Sequence, residues 1–131
     1  MSMKKILAVD RYESNLNIYN RVLSPNYSLM INPEPVAALG LLRNEPVDLL
    51  IADYSLPATG DITGKPFVIE AHSTQPSMKI VLTTSPVLSS DKESLEGVLA
   101  QLKGMGLEFA HLPKPINEET LAAKVRELIG E

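Results

Sequence analysis

The sequence predicts an α/β fold, with five strands in a doubly wound parallel sheet and helices on both faces. Three observations predict it. Strand-like and helix-like segments alternate five times along the chain, the pattern of repeated βαβ units. The run from Val47 to Ala52 is apolar at five of six positions rather than alternating, so both of its faces should be buried, as in the middle of a parallel sheet. Polar residues of particular kinds stand where strands end, and in open α/β sheets that edge binds ligands.

The elements follow in order. Ile6-Leu7-Ala8-Val9 is a short apolar strand that ends on Asp10. Leu16, Tyr19 and Leu23 then share one face of a helix, which Ser24-Pro25-Asn26 breaks. Tyr27 to Ile31 reads as the second strand. A turn at Asn32-Pro33-Glu34-Pro35 leads into a helix with Ala37, Ala38, Leu41 and Leu42 as its apolar stripe. Asn44-Glu45-Pro46 ends that helix, and the central strand follows, closing on Asp53 with Pro57 soon after. Taken alone, Asp53 is either a turn cap or part of a site.

Beyond Pro57 lies a loop rich in breakers, then a helix from Phe67 to Ser73. Lys79-Ile80-Val81-Leu82-Thr83 is the fourth strand. Ser90 or Asp91 caps a helix with Leu95, Val98, Leu99 and Leu102 inward, and Gly104 and Gly106 stop it. Leu107 to Leu112 is the fifth strand, and Pro113-Lys114-Pro115 a rigid turn. Asn117 caps a last helix with Leu121, Val125, Leu128 and Ile129 inward.

Composition narrows the function classes. A chain of 131 residues is expected to form a single domain, 1–131, with a real core. Its net charge of −4 argues against nucleic acid as a direct partner. With no cysteine there is no disulfide, thiolate metal site or Cys nucleophile. No apolar run reaches the length of a membrane span, and the start lacks the apolar stretch of a signal peptide. The expectation is a cytoplasmic protein without membrane contact.

The chemistry is expected on one rim, because Asp10, Asp53, Thr83 and Lys114 all fall at carboxyl ends of strands. Two acids, a hydroxyl and an ammonium together suit a site that handles an anion with the help of a cation.

These residues carry a resemblance. Ile6-Leu7-Ala8-Val9-Asp10, then Val47-Asp48-Leu49-Leu50-Ile51-Ala52-Asp53 with Leu56-Pro57, then Ile80-Val81-Leu82-Thr83, then Lys114-Pro115 resemble, in order and spacing, the motifs of receiver domains of two-component response regulators. The resemblance covers nearly all of the chain and implies a flavodoxin-like sheet of order 2-1-3-4-5. It implies that Asp53 is the phosphoacceptor, taking phosphate from a histidine kinase or phosphotransfer protein. Thr83 would bind the phosphoryl group and act in switching, and Lys114 would pair with it. Mg²⁺ would be held by Asp10, Asp53 and the backbone carbonyl of Ser55, assisting in-line attack by a carboxylate oxygen. The output would be a protein-interaction face read by a downstream effector domain or protein. Catalysis would extend no further than the domain's own phosphorylation. The Lys114-Pro115 bond is often cis in such domains.

The chain departs from the pattern at several places. The second of two adjacent acids after the first strand normally binds the metal, and here it is Arg11. A guanidinium cannot ligate Mg²⁺ and keeps its charge, so metal binding should be weakened. Glu13 is the nearest substitute acid. His111 stands where a switch aromatic is usual, and the stretch from Thr83 to Lys114 is long, so the fourth helix or its flanks should be enlarged. These departures support an alternative, a pseudo-receiver that works as a phosphorylation-independent interaction module. A nucleotide- or flavin-binding protein of the same fold is disfavoured, since no glycine-rich cradle follows Val9.

Overall fold

Each strand is short, and each is followed in the chain by a helix. The structure, a computed structural model, describes residues 3–53, 64–84, 95–106 and 109–130. Its elements are β1 (Lys5–Val9), α1 (Glu13–Leu23), β2 (Ser28–Asn32), α2 (Pro35–Asn44) and β3 (Leu49–Asp53), then α3 (Gly64–Thr74), β4 (Lys79–Thr84), α4 (Leu95–Gly104), β5 (Ala110–Pro113) and α5 (Glu118–Ile129). The strands form one sheet of order β2-β1-β3-β4-β5, and every pairing is parallel. This is the flavodoxin-like arrangement expected. β3 lies in the middle, and all five of its residues are buried.

Side chains alternate across a strand with a period of two, so each strand feeds both faces. Leu7, Val9, Leu50, Ala52, Ile80 and Leu82 point to the face packed by α2, α3 and α4. Ile6, Ala8, Leu49, Ile51, Val81 and Leu112 point to the face packed by α1 and α5. Leu16, Tyr19 and Leu23 are the buried residues of α1, as its spacing requires. Asn117 caps α5, its side-chain oxygen accepting the Thr120 amide at 2.9 Å.

Some boundaries and faces differ from the sequence reading. β2 starts at Ser28, with Tyr27 buried just before it, and β5 runs from Ala110 rather than Leu107; residues 107 and 108 lie outside the described residues. In α2 the buried set is Pro35, Ala38, Leu39 and Leu42, while Ala37 is exposed. The run from Val36 to Leu42 is almost all apolar, so packing against the sheet, not periodicity, fixes the rotation of the helix. Leu128 and Ile129 are only half-buried. The described part of α4 spans ten residues, and the stretch before it, where an enlargement was expected, lies outside the described residues. The capping positions Ser90 and Asp91 lie outside the described residues.

One side chain holds the end of α2 against the start of β3. Gln75 accepts the Val47 amide through its oxygen at 2.9 Å. Its nitrogen donates to the Leu42 and Glu45 carbonyls at 2.7 and 2.6 Å.

Candidate functional site

The period-two alternation that builds the core also builds the site. Asp10 continues the parity of Ile6 and Ala8, Asp53 that of Leu49 and Ile51, and Thr83 that of Val81. All three therefore emerge on the α1–α5 side at the carboxyl end of the sheet. β1 and β3 are neighbours, which sets the two acids side by side, and Asp53 pairs in register with Thr83. Asp10, Asp53 and Thr83 are completely buried.

Lys114 follows β5 and reaches across the rim, and the peptide bond to Pro115 is cis. Its Nζ lies 3.1 Å from Asp10 Oδ2 and 3.0 Å from Asp53 Oδ2, with only 10 % of its side chain exposed. It meets both as an ion pair rather than along a hydrogen-bond line. Two buried carboxylates repel each other unless a cation lies between them, and Lys114 is that cation.

Asp10 is held from every side. Its Oδ1 accepts the Tyr12 amide at 2.9 Å and the Asn15 side-chain amide at 3.3 Å. Its Oδ2 accepts the Tyr19 hydroxyl at 3.4 Å and also faces Lys114. Tyr19 is fully buried, and desolvation, helped by the Asp10 charge, pushes its hydroxyl well above the usual tyrosine range. It is therefore a fixed donor and does not titrate with the pocket. Thr83 Oγ1 donates to the Ala52 carbonyl at 3.4 Å.

Arg11 does not enter the pocket. It is exposed, and its guanidinium lies 4.6 Å from the centroid of the Tyr12 ring and donates to the Tyr12 hydroxyl. The same ring lies 5.4 Å from Lys114 Nζ, so both cations lie against Tyr12 at the mouth of the site. Glu13 is exposed in the first turn of α1. The Ser55 carbonyl, expected as a metal ligand, lies outside the described residues, as does the loop after Pro57.

For a resident Mg²⁺ the described donors fit poorly. Both Asp10 oxygens already accept donors, Lys114 fills the space between the carboxylates, and no group of three or more His, Cys, Asp or Glu converges among the described residues.

His111 stands on the other face. It pairs with Leu82 in the sheet, and its Nε2 lies 2.6 Å from Thr84 Oγ1. Burial holds its pKa below the ordinary histidine value. The threonine it contacts is thus Thr84 and not Thr83.

Sequence reasoning brought Asp10, Asp53, Thr83 and Lys114 together, and missed Tyr12, Asn15 and Tyr19. Tyr19 was legible only as part of an apolar stripe, although a buried tyrosine needs a partner for its hydroxyl and Asp10 lies nine residues back.

Solved structures carry the same architecture. A CheY-like response regulator receiver domain from Methanospirillum hungatei is 28 % identical, with a TM-score of 0.79, over 96 % of this chain and 93 % of that one. The fold is that of a response regulator receiver domain. The Vibrio cholerae chemotaxis protein CheY4 is 25 % identical with a TM-score of 0.78, over 97 % of this chain and 99 % of that one. A signal receiver domain of an HD domain-containing protein from Pseudomonas fluorescens matches at 25 % and 0.78, over 98 % and 88 %. No protein-family model and no curated protein matches the chain. Among the described residues, no helix is long and apolar enough to cross a membrane.

Proposed function

We propose that the chain is a signalling receiver whose Asp53 accepts a phosphoryl group from a histidine kinase or phosphotransfer protein in the cytoplasm. One observation carries the reading. Asp53 is fully buried at the carboxyl end of the central strand, beside Thr83 in register and 3.0 Å from Lys114 Nζ. Its carboxylate is the nucleophile, the Thr83 hydroxyl donates to an incoming phosphoryl oxygen, and the Lys114 ammonium offsets the added charge. The phosphorylated state is then read by an effector protein or domain. Incubation with acetyl phosphate should label the wild type, and Asp53→Asn should abolish the label. Label that survives this change places the acceptor elsewhere.

A second reading, the phosphorylation-independent interaction module, is favoured by Arg11 in the place of an acid and by Lys114 already pairing both carboxylates. A chain that stays unlabelled yet still binds its partner supports it.

A further inference from the structure

We infer that Arg11 is the second cation of this pocket, and that Asp53 takes and holds its phosphoryl group without a divalent metal. The inference rests on the reading of Asp53 as acceptor. Charge is the first argument. Asp10, Asp53 and Lys114 together carry one net negative charge. A phosphoryl ester on Asp53 replaces one negative charge by up to two. One further cation restores the original balance, and Arg11 is the cation at the mouth.

Position is the second argument. Arg11 adjoins Asp10 in the chain, and Tyr12 is tethered to Asp10 through its amide. The Arg11 guanidinium and Lys114 Nζ lie 4.6 and 5.4 Å from one ring centroid, so the two charges are no more than about 10 Å apart. Tyr12 and Arg11 are both exposed, and among the described residues a surface stacking contact and one surface hydrogen bond hold the guanidinium on the ring. A turn of the side chain brings its planar pair of N–H donors to phosphoryl oxygens, a geometry that guanidinium matches bidentately.

The carboxylates supply the third argument. A divalent ion needs oxygen donors with free lone pairs, and both Asp10 oxygens already accept hydrogen bonds, from Tyr12, Asn15 and Tyr19, while the Lys114 charge pairs with Oδ2. Asp10 here anchors protein donors.

The step balances without a metal or a proton. An Asp53 carboxylate oxygen attacks the phosphorus of an acyl phosphate and forms a new O–P bond. The P–O bond to the acyl group breaks, and the carboxylate leaves with the electron pair. Arg11 and Lys114 hold the phosphoryl oxygens throughout.

The test is labelling of the purified chain by acetyl phosphate, followed by intact mass, once in EDTA and once in Mg²⁺. The wild type should label to the same extent in both. Arg11→Ala should lose at least about tenfold in rate in EDTA, the scale of one hydrogen bond to a charged group. Arg11→Lys should recover part of it, and Arg11→Asp, which puts a negative charge where the cation is needed, should lose at least as much as Arg11→Ala in EDTA. Because Arg11 is exposed, these variants should keep the wild-type circular dichroism spectrum. Wild-type labelling that EDTA abolishes and Mg²⁺ restores overturns the inference and leaves Asp53 as acceptor. Arg11→Ala labelling as fast as wild type in EDTA does the same. No label in either condition overturns the acceptor reading and the inference with it.

Discussion

Thr83 and Thr84 are neighbours with the same side chain, and they belong to different parts of the molecule. Thr83 faces the two acids and bonds to the Ala52 carbonyl. Thr84 faces the opposite side of the sheet and meets His111. The pleat alone separates them. On one face the strand ends converge on a buried charge cluster; on the other they finish a mostly apolar layer with one neutral hydrogen bond. The site comes from parity and topology. Residues of one parity on β1, β3 and β4 must meet at the rim once those strands are neighbours.

The largest effect expected is on the charged side. Lys114→Met leaves two buried carboxylates without their cation, which should cost about 3–5 kcal/mol in chemical denaturation. A loss under about 1 kcal/mol would mean that water reaches the acids, and the contrast between the faces would weaken.

The neighbouring threonines sharpen the contrast at smaller scale. Thr84→Val removes the bond to His111 and should cost about 1 kcal/mol while leaving Asp53 labelling intact. Thr83→Val should reduce labelling with a smaller stability change, since its own bond is long at 3.4 Å. The reverse outcome would exchange the roles of the two faces.

The smallest effect is a pH dependence. Burial lowers the His111 pKa below its ordinary 6.5, so below that pH the unfolded chain binds a proton that the folded chain does not. Stability should therefore fall as pH drops below about 6.5, and level off once the folded ring is charged as well. His111→Gln should flatten that part of the curve, measured as the difference between the two proteins' denaturation midpoints. Identical curves would show the ring to be solvated.

The strands, their parallel order and the convergence of Asp10, Asp53, Thr83 and Lys114 were legible, because short apolar runs that alternate with helices leave few topologies open. The buried face of α2 was not. Val36-Ala37-Ala38-Leu39 offers several equivalent apolar stripes, and only contact with the sheet selects Ala38 and Leu39 over Ala37. The direction of Arg11 was not legible either. The chain position puts it at the mouth, but the exposed Tyr12 ring turns it outward, and one residue's spacing says nothing of that. Tyr19 was hidden by its dual character, since its ring reads as core and only its hydroxyl belongs to the site.

The Gln75 clasp has a consequence for chemical ageing. Its amide works in one orientation only, the oxygen towards the Val47 amide and the nitrogen towards the Leu42 and Glu45 carbonyls. Hydrolysis of that amide exchanges a single nitrogen for oxygen and changes the shape hardly at all. It nevertheless turns one nitrogen that donates twice into one oxygen that faces two carbonyl lone pairs, with a negative charge added. The seam between α2 and β3 thus tells an amide from an acid of the same size, and slow deamidation at this one position would loosen it without altering any apolar contact.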